Sequence, residues 1–465
     1  MKTSELKKRT LLIIGFGEEG HDAYRYLRKN NPKTPIAICD MKKLEELPEE
    51  SQKIISKDNN LLLHLGDDWT NYIENYDVII KSPGVPPSIP EVKTAIEKGK
   101  VTSNTEIFMN STKGKVIGIT GTKGKSTTSS IIYHILEKNL EDVHLVGNIG
   151  NPILDHLDSD SQSSIYVYEL SSYQLNDMKI SPHIAVFLNI FPEHLNYHKT
   201  FEEYLDAKAN ITIHQGPNDH FVYNLDSSEA QSLADQTAAQ KLPFSISNSD
   251  TSVCYEEDGY LFIKNTGRRP HKVISTTEIP LLGRFNLLNV MPGIIIGQLL
   301  GIPYKNIAEG IKEFRPLEHR MEPAGMYKGI KFYNNSIATI PQATIEAINT
   351  FGDKLQTIIV GGFDRGLDFS ELGQKIAESS IENVIIFPDT GAKIWSEIEK
   401  SAPKHNIKKF EASDMKQAIE MCYKNTDRGN ICLLSPASPS FTLFQNYKDE
   451  GYQFKRYVKE IGKSK

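Results

Sequence analysis

The sequence feature that most constrains the fold is the stretch from Val116 to Leu136. A short apolar run is followed by a turn with Gly121 and Gly124 and then by isoleucines at helical spacing, which predicts a strand, a glycine turn and a helix. Backbone N–H groups and the helix dipole at such a junction attract anions. Lys125 adds a cation for β- and γ-phosphates, and Ser126 adds a hydroxyl that suits Mg²⁺. We therefore expect a nucleotide triphosphate to bind here.

This stretch departs from the strict G-x-x-x-x-G-K-[ST] pattern, because five residues separate Gly118 from Gly124. The alternative interpretation is an ordinary glycine turn before a helix. That interpretation leaves the Gly-Lys-Ser-Thr sequence at the junction unexplained.

Length and charge limit the class of protein. A chain of 465 residues is too long for one core and predicts several domains. The net charge of −6 argues against a nucleic-acid partner bound by bulk charge. Because no apolar run reaches membrane-spanning length and the start Met1–Glu5 is polar, we expect neither a membrane span nor a signal peptide. The four cysteines lie far apart and predict free thiols, so a cytoplasmic protein without membrane insertion is expected.

The N-terminal region carries a dinucleotide-type pattern. An apolar strand leads into Gly15-x-Gly17-x-x-Gly20, and a helical segment and a second strand then end at Asp40. This order places a phosphate on the helix that starts near Gly17 and a ribose near Asp40. On its own the motif is weak evidence for NAD, and a purely structural tight turn is the alternative.

A further buried strand, residues 77–81, ends in a glycine turn with Ser82 and Gly84, and such strand ends line ligand crevices in parallel sheets. The chain thus contains two nucleotide-type sites. Either a cofactor and a substrate are both nucleotides, or one of the two motifs is only structural.

Polar side chains follow the strands after the phosphate loop. Asn148 and Glu169 stand at strand ends, and a carboxylate beside a phosphate loop is placed for Mg²⁺. His194 follows the next buried strand, which favours a site over a core histidine. Lys208 lies in a helix and from the sequence alone is indistinguishable from a solvent-exposed lysine.

The second half of the chain has three parts. Residues 215–282 look strand-rich, and a helix then begins with Asn286 and Asn289 on one face, where they cap the helix or read a base. A Pro- and charge-rich junction at 314–322 predicts a domain boundary. Beyond it, strands alternate with helices again, and strand ends carry Arg365 and the 435–440 segment. We predict domains at 1–112, 113–315 and 316–465.

Taken together, these motifs resemble the Mur ligases, the ATP-dependent amide ligases of peptidoglycan synthesis. The resemblance covers essentially the whole chain in order and extends to the glutamate-adding branch of the family. The segments that carry it are 121–127, 147–150, 169–175, 189–194, 207–208, 283–289, 319–320, 434–440 and 444–451.

The resemblance implies an α/β protein of three domains. These are a Rossmann-like N-terminal domain for a UDP-linked substrate, a central P-loop-type ATPase domain, and a Rossmann-like C-terminal domain that closes on ATP and glutamate. It implies that ATP activates a carboxylate of UDP-N-acetylmuramoyl-L-alanine as an acyl phosphate, which the amine of D-glutamate attacks. A monomer is expected.

The resemblance also implies roles for single residues. The ATP set is Gly121, Thr122, Lys123, Gly124, Lys125, Ser126, Thr127, Asn286, Asn289, Arg320 and Asn335. Two Mg²⁺ ions are implied, with Ser126, Glu169, His194 and a carbamylated Lys208 as their ligands. The implied catalytic residues are Lys125, Glu169, His194 and Lys208. The UDP-substrate set is Gly15, Phe16, Gly17, Asp40, Ser82, Gly84, Asn148 and Ser172, and the glutamate set is Thr339, Arg365, Ser440 and Tyr447.

Three departures from the family pattern affect this assignment. Asn335 and Ile337 stand where the family usually has Asp and Lys, so this loop lacks the carboxylate and the cation that the resemblance implies for ribose and phosphate contacts. Lys123 stands where Asn is usual and supplies part of the missing charge. Arg365 replaces a customary Lys, which keeps the charge but changes the donor geometry.

Other functions are compatible with parts of the sequence. Within the family these are an L-glutamate-adding relative and a folylpolyglutamate-type ligase. A nicotinamide-dependent dehydrogenase would use the N-terminal glycine motif but leaves the phosphate loop unexplained. A non-catalytic nucleotide switch would form no amide product.

Overall fold

A computed structural model describes residues 1–6, 9–148, 152–247, 250–264, 269–403 and 406–463. The chain divides into two compact units. The first comprises Met1–Ile279 and Phe285–Phe314, and the second comprises Pro280–Arg284 and Arg315–Lys465. Short 3₁₀ helices lie at Thr3–Leu6, Leu44–Glu46, Trp69–Asn75, Leu154–Asp158, Thr276–Glu278 and Gly352–Lys354.

The first unit begins with a parallel five-stranded sheet. Its strands are β1 (Leu11–Ile14), β2 (Ile36–Asp40), β3 (Leu61–Leu65), β4 (Val78–Lys81) and β5 (Val101–Thr102), with helices α1 (Glu18–Asn30), α2 (Glu49–Lys57), α3 (Pro90–Glu97) and α4 (Asn104–Ser111). The strand order β3-β2-β1-β4-β5 reverses direction between β1 and β4. Ligands bind at such a reversal, outside the carboxyl ends of the strands.

The same unit contains a nine-stranded sheet of order β14-β13-β12-β11-β10-β9-β6-β8-β7. It is parallel from β7 to β12 and antiparallel across β12, β13 and β14. The strands are β6 (Lys115–Thr120), β7 (Val143–Gly147), β8 (Ile165–Glu169), β9 (Ile184–Phe187), β10 (His220–Asn224), β11 (Gln240–Ser245), β12 (Cys254–Glu257), β13 (Tyr260–Ile263) and β14 (His271–Ser275). The helices are α5 (Lys125–Glu137), α6 (Ser172–Leu175), α7 (Leu195–His198), α8 (Phe201–Ala209), α9 (Ser228–Gln236), α10 (Phe285–Leu299) and α11 (Tyr304–Glu313). The strand order turns back at β6, the strand that precedes the predicted phosphate loop.

The second unit contains a six-stranded sheet of order β15-β16-β20-β17-β18-β19. The pair β15 and β16 is antiparallel, and the other pairs are parallel. The elements are β15 (Glu322–Tyr327), β16 (Ile330–Asn334), α12 (Pro341–Phe351), β17 (Leu355–Gly362), α13 (Ser370–Ala377), β18 (Asn383–Asp389), α14 (Thr390–Ser401), β19 (Lys408–Glu411), α15 (Met415–Asn425), β20 (Ile431–Leu434) and α16 (Tyr447–Lys463). Here the order turns back between β17 and β20.

The two sheets of the first unit share one hydrophobic core, which runs from Leu11 on β1 to residues on the central sheet. Phe108 of α4 packs edge-on against Tyr166 at 4.8 Å between ring centroids and against Tyr168 at 6.3 Å. The Tyr168 hydroxyl lies 2.8 Å from the Thr105 hydroxyl, so the buried phenol is hydrogen bonded. This shared core explains why the two sheets form one compact unit.

The predicted α/β class with three sheet-containing domains is confirmed. The predicted boundary at 112/113 lies between α4 and β6 and that at 315/316 between α11 and β15; both stay predictions. All four cysteines are buried free thiols. Within the described ranges, no helix has the length and apolar character needed to cross a membrane.

Candidate active site

The phosphate loop connects β6 to α5, as the sequence predicts. Gly124 caps the helix with φ of 87°, a left-handed conformation that favours glycine. A Cβ atom at this position would lie 2.2 Å from Oδ1 of Asn289. The loop therefore needs a glycine here both for its backbone angle and for its contact with α10.

Lys125, the first residue of α5, folds back over the loop. Its ammonium donates to the carbonyl oxygens of Gly121 at 2.9 Å and Thr122 at 3.0 Å. The loop is anchored on its other side by Asn189, whose carbonyl accepts from the Thr122 N–H at 2.8 Å and whose amide oxygen accepts from the Lys123 N–H at 2.9 Å. These bonds hold the loop in one conformation, with the Lys125 ammonium bound to its carbonyl groups.

The hydroxyl residues of the first α5 turn differ in exposure. Ser126 is half-buried, whereas Thr127 is buried.

The Lys123 ammonium pairs with the Glu193 carboxylate at 2.6 Å. Because Lys123 is 53 % exposed, this ion pair contributes little to stability and can exchange for another anion.

Glu169 and Lys208 are buried beside the loop. Glu169 ends β8, in register with Ile119 of β6, and is 3 % exposed. The Lys208 ammonium donates to the Thr120 hydroxyl at 3.1 Å and to the Gly121 carbonyl at 3.0 Å. The interpretation of Lys208 as a solvent-exposed lysine is wrong, because its side chain is 1 % exposed.

The surroundings of Lys208 disfavour its charge. Burial lowers the pKa of Lys208 well below its ordinary value, and the nearby ammonium of Lys125 lowers it further, against the opposing effects of Glu193 and Glu169. A lysine in this position holds an uncharged, nucleophilic amine more readily than one in water.

His194 follows β9 with φ of 59°, in the left-handed region that non-glycine residues seldom adopt. Its ring lies 5.1 Å from Tyr173 and 6.1 Å from Tyr204. Partial burial lowers the pKa of His194; Glu193 opposes this effect, while Lys125, Lys208 and Lys123 add to it. The lowered pKa favours the neutral imidazole, which is the form that ligates a metal.

The loops after β1 and β4 contact each other at the reversal point of the N-terminal sheet. The Ser82 hydroxyl donates to the Gly15 carbonyl at 2.8 Å, and Gly15 has φ of 83°. Asp40 orders the glycine turn, because one carboxylate oxygen accepts from the Phe16 N–H at 2.9 Å and the other accepts from the Lys42 N–H at 3.0 Å.

These loops and Lys125, at the end of the phosphate loop, line an open cleft of about 730 Å³. The structure brings together in its walls nine residues that the sequence predicts: Gly15, Phe16, Gly17, Asp40, Ser82, Gly84, Lys125, Asn148 and His194. The cleft thus joins the two nucleotide-type motifs in one site. Of the 147–150 motif, Ile149 and Gly150 lie outside the described residues.

Other wall residues are missing from the sequence prediction. They are Glu18, Glu19, Pro83, Val85, Ser171 and Tyr173. The predicted Ser172 is instead buried, with its hydroxyl 3.0 Å from Nε2 of His198. The position of segment 169–174 at a strand end indicates that Ser171 and Tyr173 lie near a ligand. The sequence does not show whether Ser171 or Ser172 faces the cleft, because this depends on Ser171 capping α6.

The two asparagines of α10 are buried and bonded to each other. The Asn289 amide donates to Oδ1 of Asn286 at 2.7 Å, and Oδ1 of Asn289 accepts from the Thr128 hydroxyl at 3.3 Å. Asn289 therefore ties α10 to the helix that follows the phosphate loop.

The C-terminal unit holds the remaining six predicted residues. Arg365 is exposed after β17, and Ser440 is 4 % exposed after β20. These strands are neighbours at the point where the order of the sheet turns back. Thr339 is half-buried ahead of α12, and Tyr447 begins α16.

Arg320 precedes β15 and Asn335 follows β16, so the two residues flank this antiparallel strand pair in the chain. Arg320 stands between two residues with left-handed backbones, His319 at φ of 65° and Met321 at φ of 45°. The Asn335 side chain is buried; its oxygen accepts from the Met321 N–H at 3.2 Å and its nitrogen donates to the Ser435 hydroxyl at 3.1 Å. Both amide atoms of Asn335 are thus engaged inside this unit.

The donors suit Mg²⁺ only in part. Among the described residues, no three His, Cys, Asp or Glu side chains are grouped closely enough to form a metal site. Glu169, Ser126 and His194 nevertheless surround the loop that would hold phosphates, and Mg²⁺ is commonly bound by one or two protein ligands plus phosphate oxygens and water. The residues therefore fit a metal that arrives with a nucleotide.

Comparison with known proteins places these features in a family. Residues 9–102 match the family described as Mur ligase MurD-like, N-terminal domain, and residues 119–297 match the Mur ligase middle domain. The chain is 32 % identical over 460 residues to the UDP-N-acetylmuramoylalanine–D-glutamate ligase of Thermoanaerobacter pseudethanolicus, covering 98 % of this chain and 99 % of the relative. It is 33 % identical over 465 residues to the ligase of the same name from Caldicellulosiruptor bescii, with the same coverage.

Solved structures share the fold. The MurC ligase of Thermotoga maritima aligns with a TM-score of 0.59 at 16 % identity, over 98 % of this chain and 100 % of that chain. The MurF ligase of Thermotoga maritima in complex with ADP aligns with a TM-score of 0.58 at 17 % identity, over 98 % of this chain and 97 % of that chain.

Proposed function

The chain belongs to the Mur ligase family, and on this premise we propose that it is the ATP-dependent ligase that adds D-glutamate to UDP-N-acetylmuramoyl-L-alanine in peptidoglycan synthesis. Curated relatives that match over nearly the full chain carry that activity in their names. The reaction uses ATP and a UDP-linked substrate and is proposed for the cytoplasm. One chain carries every predicted residue, so the monomer is the proposed functional unit.

The observation that carries the proposal is the single cleft shared by the two glycine motifs. Gly15, Gly17 and Ser82 line one side, and Lys125 and His194 line the other. A UDP-linked substrate on the first set would place its far end toward the phosphate loop. Two nucleotide-type motifs are thereby explained by one reaction between two nucleotides.

The residues of the phosphate loop have distinct tasks in the proposed reaction. The γ-phosphoryl group of ATP passes to the substrate carboxylate, and the acyl phosphate is then attacked by the glutamate amine, which displaces phosphate. Lys125, held by two carbonyls of its own loop, is positioned to stabilise negative charge on the transferred group. Ser126, Glu169 and His194 would hold Mg²⁺, which neutralises charge that develops on the phosphates.

Lys208 is proposed to be carbamylated. Its buried, uncharged amine attacks CO₂, a C–N bond forms, and one proton leaves to solvent, so that a neutral amine becomes an anionic oxygen donor. The environment supports this step, because the uncharged amine is favoured by burial and by the charge of Lys125. The carbamate would serve a second Mg²⁺.

The acceptor is proposed to be held by its two carboxylates. Arg365, which offers a planar pair of donors, and the Thr339 hydroxyl are proposed to bind one carboxylate, and Ser440 with a backbone N–H near Tyr447 is proposed to bind the other. An acceptor with one carboxylate would leave one donor set unpaired, and for the buried Ser440 hydroxyl this costs roughly 1–3 kcal/mol. The D configuration rests on the names of the relatives.

The loop that contains Asn335 and Ile337 is proposed to have a structural role. The hydrogen bonds of Asn335 support a role in fixing this loop, and Arg320 and the asparagine pair of α10 remain the proposed ATP contacts. Lys123, whose side chain is exposed and pairs with the half-buried Glu193, is proposed to supply the phosphate charge that Ile337 lacks.

The test measures ATP-dependent product from UDP-N-acetylmuramoyl-L-alanine with D-glutamate, L-glutamate and other amino acids at equal concentration. Product from D-glutamate is expected, and faster product from L-glutamate would overturn the stereochemical assignment. Lys125→Ala is expected to lower kcat by about 10²–10³-fold with an unchanged melting temperature. Absence of product from any acceptor contradicts the proposal.

A further inference from the structure

Two exposed phenylalanines lie side by side in the C-terminal unit. Phe363 is 46 % exposed and Phe441 is 57 % exposed, and their rings meet edge to face at 6.4 Å. They stand after β17 and β20, the neighbouring strands at which the order of this sheet turns back. Apolar rings at the ligand edge of a parallel sheet call for an explanation beyond packing.

The loops that carry the two rings are fixed to each other. The Phe363 N–H donates to the Pro439 carbonyl at 2.6 Å, and the Gly361 N–H donates to the Pro436 carbonyl at 2.9 Å. Thr390 binds both loops, since its hydroxyl lies 2.7 Å from that of Ser438 and 2.9 Å from the Gly362 carbonyl. The rings therefore project from a rigid base.

Gly362 explains why the two loops can approach so closely. A Cβ atom at this position would lie 2.4 Å from the Pro439 carbonyl oxygen. Its φ of 155° is also one that side chains seldom adopt. The geometry of the two loops is thus set by backbone contacts that do not involve either aromatic ring.

Arg365 lies against the second ring. Its guanidinium carbon is 5.9 Å from the centroid of Phe441, a cation–π distance. The neighbouring carboxylate of Asp364 is directed elsewhere, because it pairs with Lys393 and accepts from the Gly366 N–H at 2.9 Å. A guanidinium on a ring face keeps the N–H groups in its plane available for a carboxylate.

We propose that Phe441 is a positioning residue for Arg365, holding the guanidinium in the orientation that receives one carboxylate of the amino-acid substrate. This inference rests on the proposed function, which assigns Arg365 to that substrate. Phe363 supports the ring of Phe441 from the side. Preorganisation of Arg365 lowers the entropy lost when the carboxylate binds, so the effect falls on affinity and not on the chemical step.

The test compares Phe441→Leu and Phe441→Tyr with wild type in the full-length enzyme. Phe441→Leu is expected to raise KM for D-glutamate about twofold to fivefold, from the strength of an exposed cation–π contact. Its kcat and its KM for ATP should change by less than that factor. Phe441→Tyr keeps an aromatic face and should lie closer to wild type than Phe441→Leu does. Because the ring is exposed, both variants are expected to fold, and thermal unfolding checks this.

A double-mutant cycle with Arg365→Gln separates positioning from a direct effect of the ring on the substrate. If Phe441 acts through Arg365, Phe441→Leu has no further effect on kcat/KM for glutamate once Arg365 is replaced. An equal effect in both backgrounds overturns the inference, as does an unchanged KM in Phe441→Leu. Arg456→Lys is the matched control, since Arg456 is also exposed and lies 4.5 Å from the Tyr457 ring.

The cycle also distinguishes the inference from the proposed function. A raised KM in Arg365→Gln together with an unchanged Phe441→Leu rejects only the positioning role. An unchanged KM in Arg365→Gln rejects the assignment of Arg365 and the inference with it. Absence of amide product from the wild type rejects the proposed function itself.

Discussion

The Tyr197 hydroxyl donates a hydrogen bond to the main-chain carbonyl of Pro83 at 3.2 Å. This bond connects the segment after β9, which carries His194, with the loop after β4, which carries Ser82. Burial raises the pKa of Tyr197 above its ordinary range, so the hydroxyl stays protonated and remains a donor. The two sides of the cleft are therefore joined by one phenol.

Replacing this phenol with phenylalanine should loosen the loop after β4 while the fold persists. We expect Tyr197→Phe to raise KM for the UDP-linked substrate about twofold to tenfold, the equivalent of one net hydrogen bond. Steady-state kinetics with saturating ATP and glutamate measure this. Tyr452→Phe, which removes a surface hydroxyl bonded to Glu318, is the control and should leave KM unchanged. An unaltered KM in Tyr197→Phe would show that the bond does not position the substrate loop.

Gly124→Ala should disrupt the phosphate loop through a clash with Asn289. The left-handed backbone alone costs about 1–2 kcal/mol, and the clash at 2.2 Å adds to it. We expect lower stability and at least about tenfold weaker use of ATP, because the loop must move. Gly99→Ala is the matched control, since Gly99 also has a positive φ but has open space around its added Cβ. If both variants behave alike in ATP kinetics, the contact with Asn289 has no functional weight.

Lys208→Ala should be inactive and should regain part of its activity with short carboxylic acids, which replace the carbamate oxygens. In wild type, ¹³C-labelled CO₂ should give a carbamate resonance that is missing from the variant. Lys179→Ala, at an exposed lysine after α6, should keep both the resonance and the activity. A fully active enzyme that lacks the resonance would disprove carbamylation.

Glu19 should make the first unit less stable at alkaline pH. Burial raises its pKa to about 7, opposed by a hydrogen bond from Gln174. A carboxyl group whose pKa is raised by folding stabilises the protein below its unfolded value of 4.5, and this contribution is lost as the pH rises through about 7. Burial raises the pKa of Asp22 to about 6, which acts in the same direction.

The melting temperature should accordingly fall between pH 5 and pH 8, and Glu19→Gln should reduce this fall, because glutamine can still accept from Gln174. Glu18→Gln, at the exposed neighbour, should leave it unchanged. Parallel pH profiles for wild type and Glu19→Gln would rule out this role of Glu19.

Local patterns in the sequence predict the strand ends and the loops that follow them. Gly15, Ser82, Lys125 and His194 stand at such ends, and since parallel strands share one carboxyl edge, their meeting in a cleft follows from chain order. The burial of Lys208 does not follow from chain order. Helix α8 alone does not reveal which of its faces packs under the Thr120 hydroxyl, because that contact joins residues 88 positions apart.

Hydrogen-bond partners that depend on tertiary packing also cannot be predicted from the sequence. In the sequence, Asn335 is a departure from a family motif. In the structure its side chain bonds to Met321 and to Ser435, and Ser435 is 100 residues away from Asn335. The acidic residues Glu18 and Glu19 lie inside a predicted phosphate-binding loop, and only the hydrogen bond from Gln174 shows that Glu19 faces helix α6. Such contacts depend on the relative placement of elements, which periodicity does not encode.

The core shared by the first two sheets has a consequence for how this protein can be divided. Phe108 on α4 is packed against Tyr166 and Tyr168, so a fragment ending at residue 112 would carry an uncovered aromatic surface, and the remainder would lose the cover of its own tyrosines. The N-terminal sheet is therefore not a portable module. A chimaera that exchanged only this sheet for that of a relative would need to inherit the matching aromatic residues of the central sheet as well, which ties the evolution of the two segments together.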